Sequence, residues 1–93
     1  MVRPISSFIY GGNLHTIYAA DRAGDELPPG LHDHDFEHIC VPMSGTIEAF
    51  FDDREPISAQ PGVHPFEFAP RRKHGIRAKT DGATFMNVAR AIL

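Results

Sequence analysis

The sequence predicts an all-β domain, a sandwich or barrel of short strands. Eight glycines and eight prolines cut the 93 residues into short pieces. No long segment keeps the apolar period of a helix, whereas strand-like apolar runs recur between turn clusters. Many short strands with Gly/Pro punctuation make a sandwich or a barrel rather than a bundle.

Taken in order, the runs are Ile5 to Tyr10 and Leu14 to Ala19, followed by a polar loop from Asp21 to Gly30 that contains Pro28 and Pro29. After it come Phe36 to Met43, Thr46 to Phe51, Ile57 to Ala59, His64 to Phe68, Gly75 to Thr80 and Ala83 to Ala91. Ser44-Gly45 separates two runs closely enough for a hairpin, and Asp81-Gly82 is a two-residue hairpin signal. Asp52 to Pro56 and Gln60-Pro61-Gly62 are polar turns. Pro42 has no N–H to give to a ladder, so it is expected at an edge or a bulge. An edge in so small a barrel invites pairing with a second copy, and a homodimer is expected.

The spacing is that of one domain over residues 1–93, without linker, repeat or low-complexity tract. A chain this short buries a small share of its surface and is often stapled by a disulfide, a metal or a partner subunit. Cys40 is its single cysteine, which excludes an intrachain disulfide and favours the other two supports. No stretch near Met1 reads as a signal peptide and none could span a bilayer, so a cytoplasmic location is expected and a membrane is not. Nine basic and twelve acidic side chains give a net charge of -3 with the signs interspersed, a poor match to nucleic acid. Histidine is the outlier, with six residues, and such a surplus calls for a metal or a proton role.

The informative stretch runs from Gly30 to His38 and on to Gly45. Residues two apart in a strand share a face, so His32, His34 and His38 can turn into one interior while Asp33 and Glu37 turn out. Converging imidazoles suit first-row transition metals. His74, after Pro70-Arg71-Arg72-Lys73, is the natural fourth ligand.

These residues resemble the two motifs of the cupin superfamily. The first motif is a glycine, H-x-H, three or four residues, a glutamate, six residues and a glycine. The chain has His32-x-His34, three residues, His38, six residues and Gly45. Pro61-Gly62, Pro70 and His74 resemble the second, so the motifs fall at residues 30–45 and 62–78, within a resemblance that covers roughly Gly30 to Val88. His38 stands at the glutamate position. Arg71 and Arg72 stand where the second motif has its internal glycine, and Ala78 replaces its asparagine. Strand alternation favours His38 as the third ligand, but a bulge would bring in Glu37 instead. The resemblance implies a cupin-type jelly-roll β-barrel, a double-stranded β-helix, holding one divalent transition metal ion (zinc, nickel, iron or manganese) on His32, His34, His38 and His74. It further implies a small-molecule ligand or substrate, with metal-dependent dioxygenase or isomerase chemistry as one outcome. The alternative is a non-catalytic ligand-binding or sensing barrel with a mainly structural metal.

The remaining residues have plainer readings beside sharper ones. His15 and His64 are expected to be exposed or structural. Cys40 is expected as a small buried hydrophobe, although it shares a face with His38. Arg71 to Lys73 read as a solvated basic turn, or as an attraction for an anionic ligand at the barrel mouth. Phe36, Phe66, Phe68 and Phe85 belong to the core or a pocket lining. Glu48 and Glu67 are acid/base candidates by composition alone.

Overall fold

β1 (Val2–Tyr10) and β2 (Asn13–Ala20) are joined by Gly11-Gly12, both at positive φ (60° and 78°), as a two-residue hairpin turn requires. The computed structural model describes residues 1–32, 38–62 and 66–90, with the backbone alone at residues 28, 29, 31 and 32. β3 (Glu26–His32), β4 (His38–Ser44), β5 (Ile47–Phe51), β6 (Ile57–Ala59), β7 (Phe66–Phe68), β8 (His74–Ala78) and β9 (Thr84–Arg90) complete the chain. The strands form two antiparallel sheets in the orders β1-β2-β9-β4-β7 and β3-β8-β5-β6. Among the described residues there is no helix, and so none long and apolar enough to cross a membrane.

The alternation rule places the core. Along β4, His38, Cys40 and Pro42 are buried while Ile39 and Val41 are half-buried. Cys40, Phe66, Phe68 and Phe85 from the first sheet meet Ile47, Ala49, Ala59, Ile76 and Ala78 from the second. Phe68 and Phe85 are the largest fully buried side chains, each stabilising the fold by about 2–3 kcal/mol through area removed from water. On the outer face of the second sheet, Arg77 bonds Glu26 (3.0 Å) and Glu48 (2.8 Å), and its guanidinium lies over Phe50.

The structure corrects the expectations for one loop and two turns, and of the two placements expected for Pro42 it shows the bulge. The loop from Asp21 to Gly30 contains the start of β3. Five residue steps of β3, from Leu27 to His32, span two of β8, from Ile76 to His74, so the prolines sit in a wide irregularity. β3 is an edge strand, where two missing N–H groups break no ladder on the open side. Ser44-Gly45 and Asp81-Gly82 do not close hairpins either. β4 and β9 belong to one sheet and β5 and β8 to the other, so both turns carry the chain between sheets. Asp52 to Pro56 does close one, joining the paired strands β5 and β6. Pro42 lies at a register shift inside β4, a bulge rather than an edge strand. Among the described residues β7 pairs with β4 from His38 to Cys40.

One end of the barrel is closed by backbone bonds between segments. Ala20 N–H donates to Ala83 O (2.9 Å), Gly24 N–H to Ala78 O (2.8 Å), Ala78 N–H to Asp25 O (2.9 Å) and Lys79 N–H to Thr46 O (2.8 Å). Gly45 makes this closure possible. Its φ is 69°, and a Cβ there would meet the Thr80 hydroxyl and lie 3.2 Å from Ala83 Cα. Only glycine satisfies both conditions.

Candidate functional site

At the opposite end the facing strands begin with histidines. His38 opens β4 and His74 opens β8, one from each sheet. His38 is 8% exposed and His74 is fully buried, with ring centroids 5.3 Å apart. Phe68, the cross-strand partner of His38, stacks on His74 at 4.1 Å and tilts against His38 at 4.9 Å. Phe51, opposite His74 in β5, closes the cluster at 6.0 Å from Phe68.

The turn before β8 fixes the His74 ring. His74 Nδ1 lies 2.7 Å from Arg72 O, and a carbonyl can only accept, so Nδ1 carries the hydrogen. In the neutral ring the lone pair then belongs to Nε2. Arg72 N–H in turn bonds Ala69 O, and Arg71 is held at φ 64°, the single non-glycine residue at positive φ among those described. The second motif's missing glycine therefore has a physical trace: an arginine occupies a left-handed turn position that glycine fills without strain.

Of the four expected ligands, the structure brings His38 and His74 together. The backbone of His32 is paired directly opposite His74. His34 and the alternative Glu37 lie outside the described residues, as does His64. Among the described residues no three His, Cys, Asp or Glu side chains converge as a metal set.

The other candidates separate clearly. Cys40 is fully buried, and burial pushes its thiol well above the ordinary range, which keeps it a neutral thiol. Glu48 is held on the outer face by Arg77 and Lys79. Glu67 is exposed and faces away from Phe66 and Phe68. His15 stacks on Phe8 at 4.8 Å and its Nδ1 lies 3.1 Å from Asn13 O, a structural placement on the β1–β2 hairpin.

No protein-family model matches the chain and no curated protein does. Solved structures do. A cupin superfamily protein from Desulfitobacterium hafniense superposes with a TM-score of 0.76 at 14% identity, over 99% of this chain and 79% of that one. An RmlC-like cupin protein from Desulfovibrio desulfuricans gives 0.71 at 22% identity, over 99% and 83%. An uncharacterised protein with a double-stranded β-helix domain from Klebsiella pneumoniae gives 0.72 at 19%, over 94% and 76%. The chain has the cupin fold. In this cupin barrel the stretch that resembles the first motif starts in β3 and ends at the turn at Gly45 after β4, and the stretch that resembles the second leads through the Arg71 turn into β8.

Two features near His38 and His74 were not picked out from the sequence. Asn87, opposite Cys40 in β9, has a buried Oδ1 without a hydrogen-bond donor among the described residues. Its strand parity with Phe85 was the available signal. A cleft of about 660 Å3 also opens beside His38 and Phe68, with Arg72 and Arg90 in its wall. The two arginines are eighteen positions apart in sequence, and only the pairing of β4, β7 and β9 brings them to one end.

Proposed function

We propose that this cupin barrel holds one divalent transition metal ion on His32, His34, His38 and His74 and uses it to act on, or to bind, a small molecule. The observation that supports the reading is the pair of imidazoles from facing sheets, 5.3 Å apart by centroid. Two imidazoles sharing an ion at about 2.1 Å place their ring centroids roughly 4.5–5.5 Å apart, so the donors present fit such an ion. The Nδ1–H bond of His74 to Arg72 O adds to the fit, because a hydrogen bond to the outer nitrogen orients a ligating ring and selects its tautomer.

When bound, the ion would supply Lewis acidity or, as iron, a site for oxygen chemistry. The chain's own residues do the rest. Phe68 and Phe51 pack the imidazoles in an apolar wall that limits water. The Asn87 amide oxygen offers an acceptor one row deeper than His38. A dioxygenase-like or isomerase-like reaction is the catalytic form of this reading.

Metal analysis of protein purified without a tag tests it. The expected result is a near-stoichiometric transition metal in the parent and a marked loss in His38→Ala and His74→Ala. Undiminished metal in His38→Ala would pass the third position to Glu37, and a parent without metal would refute the reading. Oxygen uptake by iron-loaded protein over small diketones, thiols and phenols then separates catalysis from binding. Unfolding on chelation, with no turnover, would assign the ion a structural role.

A further inference from the structure

The two sheets turn different outer faces to their surroundings. On the second sheet the outward positions carry Glu26, Glu48, Ser58 and Arg77, with Lys79 beside them, and the charges are paired with one another. That is the pattern of a solvated antiparallel sheet, apolar inward and polar outward. The first sheet breaks it. Its face opposite to His38, Cys40 and Phe85 carries Phe8, Ile17, Ile39, Val41, Met86 and Val88. The register sets Phe8, His15, Val88 and Ile39 in one row and Ile17, Met86 and Val41 in the next. Phe8 is 45% exposed, and the others are only half-buried by their neighbours in the sheet.

What covers such a face follows from its charge and its size. Its described charges, Arg3, Glu67 and Arg90, stand at the rim: Arg3 and Glu67 on the two edge strands, Arg90 at the end of β9. The centre holds one polar ring, His15, whose Nδ1 is already turned to Asn13 O. A foreign partner would be recognised by charged or hydrogen-bonding groups, and the described centre offers little else of that kind. A flat apolar face is complementary to itself, so a twofold pair can set the same patch of each copy against the other. Two such sheets stack about 10 Å apart with their side chains interdigitated. With strands about 4.8 Å apart, the sheet presents a face about 24 Å wide and about 20 Å tall, on the order of 500 Å2 before side-chain relief is added. A stable interface takes about 800 Å2 from each partner, which is the same scale.

We infer that the outer face of β1, β2, β9 and β4 is a homodimer interface, covered by the same face of a second copy. Val41, Met86 and Val88 form its centre, and Phe8 and Ile39 flank them. Such a pair is held by side chains packed between two sheets, not by the hydrogen-bond ladder of an open strand edge. It leaves His38 and His74 on the inner side of the barrel, so no metal is needed for it.

Sedimentation velocity over protein concentrations from about 1 to about 100 µM tests it. At the upper end the parent is expected at twice its chain mass of 10.3 kDa. Val41→Lys and Met86→Lys each put an ammonium group at the centre of the face, and are expected to raise the dimer dissociation constant at least about 100-fold. Ser58→Lys adds the same charge to the exposed outer face of the second sheet and should leave the constant unchanged. Circular dichroism checks the fold of each variant. Methyl NMR of the parent with a soluble paramagnetic agent decides where a variant does not fold: the Val41, Met86 and Val88 methyls are expected to be shielded in the concentrated sample and broadened on dilution. A parent that stays monomeric throughout would overturn the inference. So would a dimer as tight in the folded lysine variants as in the parent, which would move the contact to a strand edge, or methyls broadened equally at both concentrations.

Discussion

The two ends of the barrel are cut from the same pair of sheets but held by different forces. At one end, Ala20, Gly24, Ala78 and Lys79 cross-link segments through backbone N–H groups, and Gly45 lies against Ala83 with no space for a side chain. At the other, among the described residues, side chains bring the sheets together: Phe68, Phe51, His38 and His74 pack ring to ring, and a cleft opens beside them. Backbone bonds are indifferent to side-chain identity, so the closed end can carry the fold while the residues of the other end are chosen for chemistry. The contrast teaches that a barrel of this size can devote one end to backbone closure and give the other to a buried cluster of imidazoles and aromatic rings.

The contrast breaks most readily at Gly45. Gly45→Ala combines a left-handed backbone with a contact to Ala83, and is expected to cost about 3 kcal/mol in urea unfolding. The folded fraction should still hold as much metal as the parent. A variant that folds normally would mean the closed end is less tightly set than described. His74→Ala works on the other end: removing a fully buried ring stacked on Phe68 should cost about 2–3 kcal/mol and abolish metal retention. Stability without metal loss there would detach the histidines from the proposed function.

Smaller effects sharpen the comparison. Arg71→Gly relieves a positive φ and is expected to raise stability by about 0.5–1 kcal/mol, read as a higher urea midpoint. A fall would show that the Arg71 side chain contributes more than its backbone costs. The smallest effect is electrostatic. The Gly30 N–H, with help from Arg77, holds the Glu26 carboxyl below its ordinary 4.5. A depressed carboxylate contributes stability above the unfolded value and loses it as pH falls through the lower folded value. Melting temperature should therefore drop on acidification below about pH 4.5, and slightly less steeply in Glu26→Gln, the difference in stability being a few tenths of a kcal/mol for a half-buried, solvent-screened pair. Parallel acid profiles for the two proteins would remove Glu26 from the account.

Much of the fold was legible because a two-residue period survives translation into a strand. Ile57 to Ala59 was read with its observed bounds, and β2, β5 and β9 to within a residue or two at each end. The buried alternation of His38, Cys40 and Pro42 follows the parity read from the sequence. β3 was hidden because Pro28-Pro29-Gly30 has the composition of a loop, and only its edge position makes the prolines tolerable. The turns at Gly45 and Gly82 were legible as turns but not as crossings. A short Gly-containing link looks the same whether its strands pair or part, and the partner of each strand lies elsewhere in the chain. The role of Arg72 was only half legible. Its charge suggested an anion, while its anchoring on Phe51 and Asp53 came from β5 and the turn after it, some twenty residues upstream.

By itself the sequence determined the local terms: the strand period, the turn positions, and a set of imidazoles whose parity points one way. Tertiary structure alone decided which strands are neighbours, and so which side chains meet: His38 with His74 across two sheets, and Arg72 with Arg90 around one cleft. The physical reason is that alternation specifies a face but not a partner. Strand pairing depends on hydrogen bonds and packing between residues far apart in the chain, and these are settled only when the barrel closes.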